Sequence, residues 1–242
     1  QYRVKNSTSV TKPWATLPCS GNEWGTQVEL TVGSSGYCNE EGKNTCIVEV
    51  QAKDKVGNLG DIYSRNFSID WTAPQVSVTG APSNWVNSDA TADISCSDQT
   101  SGCNTTTYKL KIFESNPNSC PNDYSQYDLV PPQTISSHLW ICGAAKDNAS
   151  NIGFSTPVEF KVDKKAPSIS YTEPTDEGII GRNFTHVNVT ASDTGDSNLR
   201  NITIYLYNET GSIINTAAKD CNGNENCNLF ANFTNLEDGI YY

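Results

Sequence analysis

Short runs in which apolar and polar residues alternate recur along the whole chain. Thr107-Tyr108-Lys109-Leu110-Lys111-Ile112 and Ile202-Thr203-Ile204-Tyr205-Leu206 are two of them, and clusters of Gly, Asn and Asp separate such runs from their neighbours. A period of two places every second side chain on one face, which is the signature of a half-buried strand. No apolar stripe with the 3.6-residue period of a helix stands out. The pattern therefore predicts an all-β fold made of short strands.

The pattern also repeats. Ala52 to Val78 reads AKDKVGNLGDIYSRNFSIDWTAPQVSV, and Ala144 to Ser170 reads AAKDNASNIGFSTPVEFKVDKKAPSIS. Asp54 matches Asp147, Asn58 matches Asn151, and Phe67 matches Phe160. Asp70 matches Asp163, and Ala73-Pro74 matches Ala166-Pro167. Every pair is 93 residues apart without a gap. Self-similarity at one fixed spacing marks a repeat architecture. A unit of this length, with strands every ~8–15 residues, suits a two-sheet sandwich of about seven strands. Proline fixes φ and cannot donate to a ladder, so each Ala-Pro suits the start of an edge strand.

The repeat phase sets three expected domains. The first, 1–70, lacks an upstream Ala-Pro and a full set of strands. The second, 71–163, holds a full set. The third, 164–242, stops at Leu236-Glu237-Asp238-Gly239-Ile240-Tyr241, a run that reads as the tyrosine corner opening a late strand. The strand carrying Lys-Asp-x-x-x-Asn is expected next. Both ends thus read as cut. Either the segment belongs to a longer chain, or a neighbouring subunit donates the missing strand. Residue 1 is Gln rather than Met, which fits a removed leader or an internal segment.

Composition narrows the function. The net charge of −11 disfavours nucleic acid and anionic lipid as partners. No apolar run approaches the ~18 residues of a membrane span. Nine cysteines in an acidic, Asn-rich chain point to an oxidising compartment. Zinc is disfavoured, because neither CxxC pairs nor His-Cys ligand spacings occur. Proximity pairs Cys38 with Cys46, Cys96 with Cys103, Cys120 with Cys142, and Cys221 with Cys227. Closing the short loops at Cys96–Cys103 and Cys221–Cys227 stabilises by roughly 2–3 kcal/mol each. Cys19 is left over, and its partner is expected outside the segment.

Asn-x-Ser/Thr occurs at Asn6, Asn66, Asn104, Asn148, Asn183, Asn188, Asn201, Asn208 and Asn232. These are N-glycosylation acceptors if the chain is exported, and an Asn-rich polar surface if it is not. The two histidines, His138 and His186, lie beside no nucleophile elbow, phosphate loop or HExxH helix. No catalytic residue is assigned, and no enzyme is expected. Trp14, Trp24, Trp71, Trp85 and Trp140 could stack on sugars, but packing within or between sandwiches is the more frequent fate.

The combination of Lys-Asp-x-x-x-Asn, a Phe-x-Ile/Val-Asp strand and x-Ala-Pro resembles the tandem immunoglobulin-like (Big/FN3-type) repeats of prokaryotic cell-surface proteins. Here it occupies Asp54–Asn58, Phe67–Asp70 and Ala73-Pro74, then Asp147–Asn151, Phe160–Asp163 and Ala166-Pro167. The density of sequons and cysteines leans towards the archaeal members. The second copy departs from the family pattern at Ser150, where the first carries Gly57. The resemblance implies immunoglobulin-like sandwiches in an extended array and a non-catalytic structural or adhesive role at the cell surface, as a stalk, surface layer or filament. The expected partners are neighbouring copies or domains of the same protein and surface glycans. A spacer or carbohydrate-binding module of a secreted hydrolase is the alternative. The resemblance also raises structural Ca²⁺ at the domain ends, with Asp54, Asp70, Asp147 and Asp163 as ligands. Against that stands a simpler role, in which these carboxylates cap turns by accepting backbone N–H bonds. Asp98, Asp193 and Asp196 are read as turn formers in the same way.

Overall fold

The structure is a computed structural model that describes residues 1–17 and 27–242. It is nearly all β, with 54% of residues in strands and 1% in helix. The strands are β1 (Tyr2–Lys5), β2 (Val10–Ala15), β3 (Gly42–Lys53), β4 (Leu59–Ile69), β5 (Gln75–Thr79), β6 (Ala90–Ser97), β7 (Cys103–Phe113), β8 (Gln133–Ile135), β9 (Leu139–Asp147), β10 (Ile152–Phe154), β11 (Val158–Phe160), β12 (Ser168–Tyr171), β13 (Phe184–Ser192), β14 (Leu199–Tyr207), β15 (Ile213–Asn224) and β16 (Asn226–Thr234). The sulfurs of Cys38–Cys46, Cys96–Cys103, Cys120–Cys142 and Cys221–Cys227 stand at bonding distance, with Cα–Cα separations of 5.1, 6.2, 5.6 and 5.7 Å. These are the pairs that sequence proximity proposes. Cys19 lies outside the described residues.

The chain divides into two compact units, Gln1–Thr79 with Ala92–Gln133 and Ile141–Val158, and Gly80–Thr91 with Thr134–Trp140 and Glu159–Tyr242. In the first unit, β2-β1-β3-β4 form one antiparallel sheet, with Val4 opposite Val48 and Val50 opposite Tyr63. Its core is Val4, Ile69 and the Cys38–Cys46 bridge. Glu49 on β3 is nearly buried and bonds Arg3 and Lys5 of β1. The Arg3 guanidinium, helped by Lys5, outweighs the opposing effect of burial and holds the Glu49 carboxyl below the usual range.

In the same unit β5 pairs with β6, Val76 facing Cys96 and Val78 facing Ile94. β9 pairs with β7 on one edge and with β10 on the other. Its middle, Ile141–Ala145, is buried without alternation, as expected of a strand covered on both faces. The segment between β7 and β8 folds back over this strand. Tyr127 is buried there with Cys142, Ala144 and Phe154, and the Cys120–Cys142 bridge ties the segment down. Tyr127 donates its hydroxyl to Pro121 O at 2.7 Å, and burial pushes its phenol up to about 12.

In the second unit β12-β13-β16 form one antiparallel sheet and β14-β15 a second. β13 and β16 pair along their whole length, from Phe184–Thr234 to Ser192–Asn226. Every second residue of β16 is buried, starting with Cys227 and ending with Phe233. The inward residues Val189, Ala191 and Leu229 of one sheet share a core with Leu199, Ile202 and Cys221 of the other. Cys221–Cys227 joins β15 to β16 across their turn.

Candidate functional site

The residues that recur at 93-residue spacing build recurring geometry. In the turn after β3, the Asp54 N–H donates to Asn58 O at 3.0 Å, and the Gly57 N–H donates to Asp54 O at 3.2 Å. The Asp54 carboxylate accepts the Asn58 N–H at 2.7 Å and the Asn58 side-chain amide at 2.8 Å. After β9, Asp147 and Asn151 repeat each bond, at 3.1 Å (Asp147 N–H to Asn151 O), 3.2 Å (Ser150 N–H to Asp147 O), 2.9 Å and 2.8 Å. The carboxylate thus replaces the solvent that a tight turn would otherwise leave on its backbone donors. Ser150 occupies the position of Gly57 in the left-handed region, at φ 76° against 103°. The departure from the glycine pattern leaves the loop intact.

The domain-end aspartates also repeat. Asp70 Oδ1 accepts the Thr72 N–H at 3.2 Å, and its Oδ2 accepts the Ser101 N–H at 3.0 Å. Asp163 Oδ1 accepts the Lys165 N–H at 2.9 Å, and its Oδ2 accepts the Ser197 N–H at 2.9 Å. Each carboxylate therefore clamps its own linker to a loop that starts about 30 residues further on. Gly195 makes this approach feasible at Asp163, since a Cβ there would stand 2.4 Å from Oδ2. Ser197 is the main cause of a lowered Asp163 carboxyl. At Asp70, burial pushes upward, but hydrogen bonding through Ser101, Glu41 and Thr72 more than offsets it, and the net direction is down.

Of the four aspartates raised as calcium ligands, Asp70 and Asp147 meet, and Asp98 joins them. One carboxylate oxygen from each lies within 4.8 Å of the others, the one such acidic group among the described residues. Asp54 and Asp163 are not part of it. A hard cation favours carboxylate oxygens, and it wants six to eight oxygens in all. These carboxylates already have donors. Asp98 Oδ1 accepts the N–H groups of Thr100, Ser101 and Gly102 at 3.1, 2.9 and 2.7 Å. Asp147 is occupied by Asn151, and Asp70 by Thr72 and Ser101. What the geometry displays is turn capping. Asp98 could have been added to the group from sequence, because it opens the loop pinned by Cys96–Cys103.

The sequons fall into two kinds. Asn66, Asn148, Asn183, Asn201 and Asn232 are exposed, and Asn6, Asn104, Asn188 and Asn208 are half-buried. In Asn6, Asn104 and Asn208 the side-chain oxygen accepts a bond from the Thr two residues on, at 3.0, 3.2 and 3.1 Å from its N–H. Asn148 is tied inward, its Nδ2 donating to Ser101 O and Gly102 O. Nδ2 of Asn188 donates to Glu173 O.

The histidines, Trp14 and Trp85 contact neighbouring side chains. His138 Nε2 is 3.0 Å from Glu159 and its Nδ1 is 3.6 Å from Asp196, with Trp85 edge-on at 4.9 Å. His186 stacks on Phe230 at 5.4 Å. Trp14 lies under the Arg3 guanidinium, Trp140 is half-buried and Trp71 is exposed. Trp24 lies outside the described residues. No helix is long and apolar enough to cross a membrane among the described residues. No protein-family model and no curated protein matches the chain, so its function has to be read from these residues.

Proposed function

We propose that the chain is a non-catalytic, extracellular structural or adhesive protein, a component of a stalk, surface layer or filament, built of tandem immunoglobulin-like sandwiches over 1–70, 71–163 and 164–242. The observation that carries this reading is the duplicated geometry at 93-residue spacing. The same Asp-Asn turn closes after β3 and after β9, and the same Asp clamp follows β4 and β11. A clamp that fixes each linker to the loop after it stiffens a serial array, which is what a load-bearing surface protein needs. The four cysteine pairs fit an oxidising compartment. Glycans on the sequons would add a solvated coat, with Asn104 and Asn208 well placed because their Nδ2 atoms bond no other group among the described residues. Neighbouring copies and surface glycans are the partners this role calls for.

Intact-mass measurement of native material, before and after deglycosylation and reduction, tests the proposal. The expected result is a mass above the 26.3 kDa of the bare chain, falling on deglycosylation, with eight cysteines alkylated only after reduction. Free thiols and an unmodified mass would remove its extracellular basis. Selective binding of a soluble oligosaccharide would favour the carbohydrate-binding alternative.

A further inference from the structure

Two strands that begin just after the two Ala-Pro pairs have opposite surroundings. On β5, Pro74 is buried, Val76 is half-buried and Val78 is 8% exposed. At the matching positions around β12, Pro167 is exposed, Ile169 is 64% exposed and Tyr171 is 72% exposed. The cover on β5 is the hairpin β9–β10. A Cβ at Gly143 of β9 would stand 3.1 Å from Val78 Cγ2, and one at Gly153 of β10 would stand 2.0 Å from Pro74 O and 3.0 Å from Val76 Cγ2. Both glycines are there because the hairpin lies directly on β5.

Nothing of that kind covers β12 among the described residues. An open groove of about 230 Å³ lies between β12 and β14, lined by Ile169, Tyr171, Ile204 and Tyr205. A larger one of about 870 Å³ adjoins it, lined by Ile180, Phe233, Leu236 and Tyr241 among others. One edge of β14 carries β15. On the other edge Tyr207 pairs with Tyr242. The Tyr207 N–H donates to Tyr242 O at 2.8 Å and the Tyr242 N–H donates to Tyr207 O at 3.0 Å, with Tyr241 opposite Asn208. Tyr241 Oη donates to Glu237 O at 2.8 Å and pins this corner, the tyrosine-corner bond that the sequence run suggests.

We propose that the flank between β12 and β14 is a docking site for a β-hairpin of the β9–β10 type. Its first strand lies antiparallel on β14, along the edge away from β15. Its first strand reaches Tyr171, as β9 reaches Val78, and its second covers Ile169, as β10 covers Val76. The chemistry of the occupant follows from β9–β10. It carries Gly or Ala where it faces the β12 side chains, apolar residues towards Ile204, and a tight Asp-Asn turn between its strands. Exposed apolar faces and an unpaired edge are both relieved by one such occupant. The inference goes beyond the proposed role and holds wherever the protein resides.

The test compares the 242-residue chain with the same chain carrying a second copy of the sequence Ile141–Phe154 after Tyr242, its cysteine changed to alanine. In the extended chain, amide exchange along β14 is expected to slow at least tenfold, and binding of an apolar dye to fall. Unchanged exchange and dye binding would overturn the proposal. So would tenfold protection of β14 in the unextended chain on dimerisation, which would make a second copy the occupant. Tyr171→Asp guards against a misfolded extension. It should leave the denaturation midpoint of the unextended chain unchanged while cancelling the protection in the extended one. A midpoint that falls in the unextended chain would show that the flank is already filled, and would also refute the proposal.

Discussion

The turns at Asp54–Asn58 and Asp147–Asn151 have the same bonds within a few tenths of an ångström, yet they sit in opposite environments. Asp54 is exposed, with open solvent around it, whereas Asp147 is 1% exposed and faces Asp70 and Asp98. The geometry is therefore written locally, by an Asp and an Asn four residues apart. Its energetic weight is written by what surrounds it. In water, a carboxylate–amide bond replaces an equally good bond to solvent. Under cover, losing the carboxylate strands its donors.

The largest expected effect follows directly. Asp147→Ala should destabilise the protein by about 2 kcal/mol, because two charge-assisted bonds to the half-buried Asn151 are lost and its backbone N–H is left unpaired. Asp54→Ala should leave the midpoint of chemical denaturation within error. Equal losses at the two sites would break the comparison and mean that the turn carries its own stability.

Acid should act next, through the carboxylates whose values are lowered. Hydrogen bonds from the Asn58 side chain, and then its backbone N–H, hold Asp54 below its ordinary 3.8. Asp163 and Asp70 are lowered as well. A carboxyl whose folded value is depressed binds its proton more readily when unfolded. Its stabilisation is present above the unfolded value and disappears as pH falls through the folded one. Stability should therefore drop between about pH 5 and pH 2. Asp163→Asn, which cannot titrate, should flatten that profile in denaturation curves taken across the range. A mutant as steep as the parent would show that other carboxyls govern the acid limb.

Much of this was legible in the sequence, for a physical reason. Period-two alternation and turn residues report local preferences, so the strands and the duplicated Asp-Asn turns could be read directly. Short-range cysteine pairs need little more, because residues six to eight apart across a turn meet of necessity. What sequence could not show is which turn is covered. Asp54 and Asp147 look alike in the motif, and only tertiary packing brings Asp98 and Asp70 to one of them. The same holds for Val78 and Tyr171, matched in sequence but covered and bare in space. The calcium expectation grouped aspartates by position in the repeat, whereas the fold groups them by proximity and brings Asp70 and Asp147 to Asp98.

The left-handed residue of each turn allows a smaller test. Ser150 takes φ 76° where its counterpart is Gly57. A residue with a Cβ is strained by roughly 1–2 kcal/mol there, partly offset because glycine has more freedom to lose on folding. Ser150→Gly should thus raise stability by about 0.5–1 kcal/mol, and Gly57→Ser should lower it or leave it unchanged. A destabilising Ser150→Gly would mean that the hydroxyl makes a contact worth more than the strain.

Calcium should have the smallest effect of all. A site of extracellular grade, with Kd of ~10⁻⁴–10⁻³ M, would add about 1.4–2.7 kcal/mol at 10 mM Ca²⁺. The carboxylates of Asp70, Asp98 and Asp147 already receive backbone and amide N–H groups, and these supply the positive ends of dipoles that three adjacent negative charges require. An ion would have to compete with those bonds rather than fill a gap. Thermal denaturation in 10 mM Ca²⁺ and in chelator should therefore coincide. A rise of the size just given, abolished by Asp98→Asn and untouched by Asp54→Asn, would turn the covered turn into a cation site. The contrast between the two turns would then be one of ligand binding rather than of burial.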